Sequence, residues 1–436
     1  MTTVMVPAHG VGTRSDLPVP LGPAAAAASV TLIISFVVLA FLWRSPRSPG
    51  GGRPLPRVVT DVVDHPATRT TVRAVALAVL IAVINIGFVG PDDPSDNVAP
   101  WAFYVTFWAG LVPLSLLLGP VVRYANPLRL LHRIVTGALR IDPDGLRTPP
   151  ASVGYWPAAA SLTAFAWLEL VAPGRAEPAT VAGFLAGYAV VQVAAATVFG
   201  ARWFDRGDGF EVYSSLIGGL SPVGRLDDGR FGLRNPLDGL ERLAPGPGLV
   251  GVVVALVGTT GYDGISRTTW WTSTVTEGVL GGTLGLAATT LAVGVIYLLG
   301  CAALTPHGAH EGQRPGPATF ATTLAPIAAG YAIAHYFSLL VFDGQQTFIL
   351  AGDPLGTGAD LLGLAGTRID YTLLGPIAIM AVQLLAIVTG HLVASVAAHD
   401  RAVRLYRSED AVRTQYPMLA AMVALTIGAV GLLFAG

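Results

Sequence analysis

Long runs of apolar residues, separated by short polar or arginine-rich connections, dominate this 436-residue chain. A run of about 20 residues forms a helix that crosses a bilayer core of about 30 Å. Windows bounded by charge, proline and glycine predict ten spans: 23–43, 73–90, 102–122, 154–172, 179–199, 248–266, 278–304, 318–342, 371–398 and 416–435. The pattern therefore predicts an all-α, polytopic integral membrane protein, with residues 1–436 forming a single helical membrane domain.

The distribution of arginine orients the predicted spans. Alternate connections hold 22 of the 26 arginines, and the segment after the first span contains six of them. The next connection, residues 91–101, contains three acids and no base. Because basic residues collect in cytoplasmic loops, we predict that the arginine-rich connections lie inside and both termini outside. The expected location is the plasma membrane, with the lipid bilayer as partner; the sequence indicates no particular protein partner.

The longest inner connection, residues 200–248, has an apolar pattern of its own. Five apolar residues recur at helical spacing beside arginine and aspartate: Phe210, Tyr213, Leu216, Ile217 and Leu220. This pattern predicts an amphipathic helix in the 205–225 region that lies in the membrane interface.

Composition excludes several classes of function. Hydrophobic residues make up 53% of the chain and charged residues 12%, against about a quarter charged in soluble domains. All basic residues are arginine, which excludes Walker A loops and Schiff-base cofactors. The single cysteine, Cys301, excludes an intrachain disulfide. The predicted outer surface is acidic, so it attracts cations, and we expect no nucleic-acid partner.

An ionisable residue within a span is expensive and is therefore a candidate for function. His335 lies in the outer half of span eight. Tyr331, one turn earlier, shares its helical face, and Asp343 follows about two turns later. The alternative is a histidine that is hydrogen-bonded to a neighbouring helix in a packed seam.

The outer end of span six contains Asp263 among three glycines spaced by three residues: Gly258, Gly261 and Gly264. Glycine at this density is expected to loosen a helix, and unwound backbone at membrane depth is tolerated where it lines a cavity. Asp263 is therefore the best outer-side carboxylate. The alternative is a solvated aspartate in a turn just beyond the span.

Span nine carries a second group, with His391 in the inner part of the membrane and His399 and Asp400 at its inner edge. The two histidines are about 12 Å apart along an unbroken helix, too far to share one metal. His335 is predicted about 15 Å from His391 in depth. We expect His391 to make an interhelical hydrogen bond, and His399 and Asp400 to form a polar inner cap with arginines such as Arg401.

Four segments together resemble bacterial membrane proteins described as fenitrothion hydrolases: AHGVGTRSDLPVPL before span one, GYDGISRTTWW after span six, AHYFSLLVFDGQ in span eight and GHLVASVAAHDRA in span nine. The resemblance covers most of the chain. It implies cleavage of an aryl phosphotriester, a neutral and membrane-soluble substrate.

Phosphotriester hydrolysis needs an activated water and stabilisation of charge on the phosphoryl oxygen. A divalent metal bound by His335 with Asp263 or Asp343 would supply both. Without a metal, Asp263 would act as general base and His335 as general acid. The candidate catalytic residues are thus Asp263, His335 and Asp343, and the candidate metal ligands are His335, His391 and His399.

A transporter or metal-handling protein is the alternative from a different class. Ten spans divide into halves of five, and an odd-numbered half places the second half in inverted orientation, as inverted-repeat transporters require. Asp263, His335 and His391 would then mark a pathway for a cation or a proton across the midplane. The expected ligand is an apolar small molecule in the first interpretation and a cation in the second.

Overall fold

Helices joined by short connections make up most of the protein in a computed structural model that describes residues 21–43, 51–275, 278–304 and 308–435. The chain is 70% helical with almost no strand. Within the described residues, ten long helices lie at the predicted span positions. They are α1 (Leu21–Leu42), α2 (Pro66–Val89), α3 (Val98–Leu118), α4 (Trp156–Leu170), α5 (Pro178–Phe199), α6 (Leu249–Ser266), α7 (Val279–Gly300), α8 (Pro317–Ala351), α9 (Pro376–Leu405) and α10 (Tyr416–Ala435).

Eight helices in the described part of the chain are long and apolar enough to cross a membrane, namely α2, α3 and α5 to α10. The all-α fold and the multi-pass membrane character are therefore confirmed. Helix α4 has 15 residues, fewer than a full bilayer crossing needs. The segment AHGVGTRSDLPVPL lies, except for its last residue, outside the described residues.

Helices α8 and α9 form the closest helix pair near the candidate site. They run antiparallel and meet at Gly330 and Gly390. A Cβ atom added at Gly330 would lie 2.4 Å from the Ala386 carbonyl oxygen, and one added at Gly390 would lie 2.5 Å from the Pro326 carbonyl oxygen. Only glycine permits this approach, as at other close contacts between membrane helices.

The glycines of α6 also serve packing. Helix α6 continues without interruption through Asp263 to Ser266. A Cβ atom at Gly258 would lie 2.6 Å from the Thr290 Cα atom of α7, and one at Gly264 would lie 3.0 Å from the Tyr331 hydroxyl oxygen. The prediction that these glycines unwind the helix is therefore wrong, because they remove side-chain bulk where other helices approach.

Two π-helical segments interrupt the regular winding, Trp101–Ala109 within α3 and Leu339–Asp343 within α8. A hydrogen bond of 2.8 Å between the Thr106 and Thr347 hydroxyls joins the helices beside these segments. Segments of this kind are frequent at functional sites because they redirect the side chains that follow.

Contacts at one end of the helices join three of the arginine-rich connections. A small antiparallel sheet contains strands from two of them, in the order β1 (Arg53–Pro54), β3 (Phe231–Leu233), β2 (Val223–Arg225). The Asp64 carboxylate binds Arg225, which lowers the pKa of Asp64. Arg404, at the end of α9, pairs with Glu241 at 2.8 Å. This end is called the arginine-rich end below.

The predicted amphipathic helix forms at Gly209–Gly218, but its location differs from the prediction. Nine of its ten residues are buried by neighbouring helices, so it does not lie in the membrane interface. Its Glu211 carboxylate is bound by Arg129, which makes deep burial of the acid tolerable. A different short helix, Pro127–Leu139, exposes Ile134 and Leu139 and is the better interfacial candidate.

Candidate functional site

A cluster of charged side chains lies between α6 and α8, toward the end of the helices opposite the arginine-rich end. Asp263 of α6 is fully buried. Its Oδ2 atom lies 2.5 Å from His335 Nε2, and its Oδ1 atom lies 2.9 Å from Arg267 Nη2 and 3.2 Å from Arg267 Nε. Both oxygens of the carboxylate therefore hold a basic partner, and the pair predicted at the outer ends of two separate spans is in direct contact.

The position of one proton on His335 follows if Asp263 is ionised. An ionised carboxylate only accepts, so the Nε2 atom of His335 donates to Asp263. Arg267 Nη2 lies 3.4 Å from the same ring nitrogen. Arg267 Nη2 and His335 Nε2 are both donors, so they do not form a hydrogen bond with each other. They lie close together because both are attracted to the Asp263 carboxylate.

A second carboxyl group, that of Glu169, belongs to the same cluster. Glu169 lies near the end of α4 and is 2% exposed. Its Oε1 atom is buried and has no hydrogen-bond partner among the described residues. The charges of Asp263, Arg267 and Arg175 all act on this carboxyl group. A buried carboxyl oxygen without a partner is costly and is thus a functional candidate.

Aromatic side chains enclose His335. The Tyr331 ring stacks on the imidazole at 5.8 Å with an interplanar angle of 18°, which confirms the predicted shared face. The Tyr336 ring meets it edge-on at 4.8 Å. Trp108 of α3 lies 6.4 Å beyond Tyr336 and begins a large aromatic cluster with Phe165, Phe210 and Tyr213. Aromatic rings therefore surround this side of the cluster.

Asp343, the third predicted catalytic residue, is placed differently. It ends the π segment of α8, and its Oδ1 atom lies 3.4 Å from the Tyr371 hydroxyl. The structure pairs it with Tyr371, and the π segment changes the direction of the side chains after Ser338.

The two predicted histidine ligands of α9 have other partners. His391 is 2% exposed, and its Nδ1 atom lies 2.9 Å from the Ile387 carbonyl oxygen of its own helix. The prediction of an interhelical hydrogen bond is therefore wrong, and the Nε2 atom has no partner among the described residues. His399 is held between Gln415 at 3.2 Å and the Trp43 carbonyl oxygen at 3.0 Å.

The predicted metal ligands His335, His391 and His399 are not brought together. Gly330 and Gly390 meet at the same depth. His335 follows Gly330 by five residues toward one end of the helices, and His391 follows Gly390 by one residue toward the opposite end. Six residues at 1.5 Å each separate the two histidines by about 9 Å in depth, less than the predicted value but too far for one ion. Among the described residues, no group of three or more His, Cys, Asp or Glu side chains could hold a metal.

Asp400 pairs with an arginine in the polar cap that was predicted at the inner end of α9, and this arginine is Arg404. The distance between Asp400 Oδ2 and Arg404 Nη2 is 2.6 Å, and Arg404 lies one turn further along the helix. Arg401, the arginine that the prediction gave as an example, donates to the Thr319 carbonyl oxygen and to the Thr322 hydroxyl at the start of α8. Arg401 thus fixes α9 to α8.

Two residues of the cluster, Glu169 and Arg267, were not predicted as site residues. Both fall at the outer ends of spans, where a solvated charge is the ordinary interpretation. Two signals were available: Glu169 is an acid within the apolar segment AWLELV, and Arg267 follows Asp263 by four residues, the spacing of a helical ion pair.

Comparison of this chain with protein-family models, with curated proteins and with solved structures gave no match.

Proposed function

We propose that the protein is a membrane-embedded hydrolase whose acid–base site consists of Glu169, Asp263, Arg267 and His335. The substrate is a neutral organophosphate ester or a similar apolar ester that enters from the outer end of the helices. One observation carries the proposal: a buried aspartate orients a histidine and an arginine beside a second carboxyl group that has an unpartnered oxygen. The resemblance to fenitrothion hydrolases gives the substrate class.

Each side chain has a role in this reaction. Glu169 accepts a proton from the attacking water as the new P–O bond forms, and Arg267 stabilises the negative charge on the phosphoryl oxygen. Asp263 binds Nε2 of His335 and orients the ring. Nδ1 of the imidazolium then donates the proton that the leaving aryl oxide takes as its P–O bond breaks. Transfer of a proton from Glu169 through solvent to Nδ1 of His335 restores the starting state, and the product phosphodiester releases its own acidic proton to solvent.

The donor set favours this reaction without a metal. Arg267 and His335 each hold one oxygen of the Asp263 carboxylate, the group that a divalent cation would need as a ligand. The arginine therefore takes the electrophilic role that the sequence assigned to a metal. The side chains of Arg267 and His335 are 23% and 11% exposed, so a substrate reaches both from the outer end.

A proton pathway is the second candidate, and the depth of the buried histidines supports it. His335, His391 and His399 follow each other across the membrane at intervals of about 9 and 12 Å. The unpartnered Nε2 atom of His391 could hold a bridging water, which such intervals require. In this alternative, Glu169 and Asp263 exchange protons with the outer side, and no ester is cleaved.

One experiment separates the two candidates. Purified protein in liposomes is assayed for fenitrothion hydrolysis and, with a pH-sensitive dye inside, for proton flux. For the hydrolase we expect Glu169→Gln and His335→Gln each to lower kcat about 100-fold, the ordinary contribution of an acid or base. Asp343→Asn and His391→Asn should retain activity, because Asp343 pairs with Tyr371 and His391 with the Ile387 carbonyl oxygen of its own helix.

The outcomes are distinct for each candidate. Hydrolysis that is equal in the Glu169, His335 and Asp343 variants would remove the proposed site. Proton flux that His391→Asn abolishes, with no ester turnover by the unaltered protein, would establish the proton pathway instead.

We further propose ten spans with both termini outside, in the plasma membrane. Two observations support this topology: the arginine-rich connections meet at one end of the helices, and α1 and α4 lie at the two remaining span positions. In a Cys301→Ala background, Asp96→Cys should react with an impermeant maleimide on intact cells. Gly51→Cys should react only after permeabilisation, and equal labelling of both from one side would contradict the topology.

A further inference from the structure

A cavity of about 270 Å³ lies at the arginine-rich end of the helices, away from the Asp263 cluster. Its lining consists of Arg73, Arg129, His132, Arg133, Pro143, Asp144 and Ala201. Three guanidinium groups against one carboxylate make the lining positive. The volume is just below the range of about 300–1,000 Å³ for drug-sized ligands, which suits a small anionic group.

Arg129 lines the cavity, and its side chain is held in place by several partners. Its guanidinium binds both oxygens of Glu211, at 2.5 and 2.9 Å, and Asp205 at 2.8 Å. It also lies 5.2 Å from the centre of the Phe204 ring. Two carboxylates therefore neutralise Arg129, and the excess positive charge of the cavity comes from its other arginines.

Arg73 and Arg133 carry that excess charge. Arg73 donates to two backbone carbonyl oxygens, those of Tyr124 at 3.1 Å and Arg123 at 3.4 Å, and to no carboxylate in the described part of the chain. The exposed Arg133 side chain makes no hydrogen bond or ion pair with any described residue. Two arginines that face one small cavity without an acidic partner repel each other unless an anion lies between them.

His132 lies beside these arginines in the wall of the cavity. The residue is fully buried, and the Ala196 backbone acts on its ring as a hydrogen-bond acceptor. Burial and the positive charges of Arg129 and Arg133 lower the pKa of His132, whereas the Ala196 backbone acts in the opposite direction. The lowered pKa favours the neutral ring, so the excess charge of the cavity comes from its arginines.

We propose that this cavity binds a phosphate group, with Arg73 and Arg133 as its charge partners. Two sources share this chemistry, an anionic lipid headgroup and free phosphate. The surroundings favour the lipid, because Ile134 and Leu139 on the same short helix are exposed beside Arg133 and would contact acyl chains. Asp144 would accept from a headgroup hydroxyl, as phosphatidylglycerol provides.

The test measures thermal unfolding of the full chain in neutral detergent micelles, followed by tryptophan fluorescence. Dioleoylphosphatidylglycerol, dioleoylphosphatidylcholine and inorganic phosphate are titrated separately, because a ligand that binds the folded state raises the unfolding temperature. We expect phosphatidylglycerol to stabilise the protein more than phosphatidylcholine does. The variant Arg133→Gln should weaken the apparent affinity about tenfold. It should fold normally, since the arginine is exposed and makes no hydrogen bond or ion pair with a described residue.

Arg147→Gln is the matched control, because Arg147 is an exposed arginine at the same end that does not line the cavity. Stabilisation by inorganic phosphate that Arg133→Gln weakens, without a lipid effect, would identify free phosphate as the source. Equal responses of the Arg133 and Arg147 variants, or no stabilisation by either phosphate source, would overturn the proposal.

Discussion

Replacing Asp263 with alanine is expected to lower the free energy of unfolding by about 3 kcal/mol. Removal of one partner of a buried ion pair typically destabilises a protein by about 3–5 kcal/mol, because the remaining charge is then buried without an opposite charge beside it. The value expected here is at the lower end, since the Arg267 side chain is 23% exposed and water reaches part of it. Denaturant unfolding of the purified protein in mild detergent, followed by tryptophan fluorescence, measures the change.

Asp343→Ala provides the control for this experiment. Asp343 is also an aspartate at the outer end of a membrane helix, but its Tyr371 contact is long and exposed, so its loss should cost less than about 1 kcal/mol. The double variant Asp263→Ala with Arg267→Ala should be less destabilised than the sum of the single variants, because it removes both charges. Equal effects of the two aspartate variants, or additive effects in the double variant, would show that Asp263 and Arg267 do not stabilise each other.

The sequence predicted the helices well because a bilayer imposes a simple rule on each of them. Every span must satisfy its backbone internally and expose apolar side chains over about 30 Å, so runs such as 66–89 and 279–300 are visible without any knowledge of their neighbours. The grouping of Asp263 with His335 followed from the same rule, since both lie at the same depth and an unpaired charge there is expensive.

The errors concern features that depend on a neighbouring helix. Gly258 was interpreted as a flexible position, whereas its missing side chain makes room for Thr290 of another helix. Asp343 was counted two turns from His335 on a regular helix, and one π segment was enough to give it a different partner. Glu169 is absent from the predicted site because its burial depends on the packing of other helices, which one segment does not reveal.

The buried 209–218 helix shows the same limit at the level of an element. Its apolar residues indicate a helix in either case, but they do not distinguish lipid from protein as the apolar partner. The distinguishing feature is Glu211, whose buried carboxylate needs Arg129 from 82 positions earlier in the chain. The periodicity of one segment contains no information about a distant partner such as Arg129. The pattern therefore predicts the helix correctly but its location wrongly.

Replacing Gly330 or Gly390 with alanine is expected to destabilise the protein by about 2–3 kcal/mol each, the upper part of the range for overpacking. A methyl group at Gly330 would lie 2.4 Å from the Ala386 carbonyl oxygen, and one at Gly390 would lie 2.5 Å from the Pro326 carbonyl oxygen. Neither oxygen can rotate away as a side chain does, so α8 and α9 must separate. Because α8 carries His335, the separation also draws this ring from Asp263, and any activity of the site should fall with stability.

Gly428→Ala on α10 tests whether the effect comes from packing or from the glycine itself. No atom lies within 4 Å of the position that its Cβ would take, so alanine should stabilise this helix by about 0.5–1 kcal/mol. The predicted changes at Gly330 and Gly428 therefore have opposite signs in the same unfolding assay. If alanine at Gly330 and Gly390 were as well tolerated as at Gly428, the close approach of α8 and α9 would be wrong, and with it the depth of about 9 Å between His335 and His391.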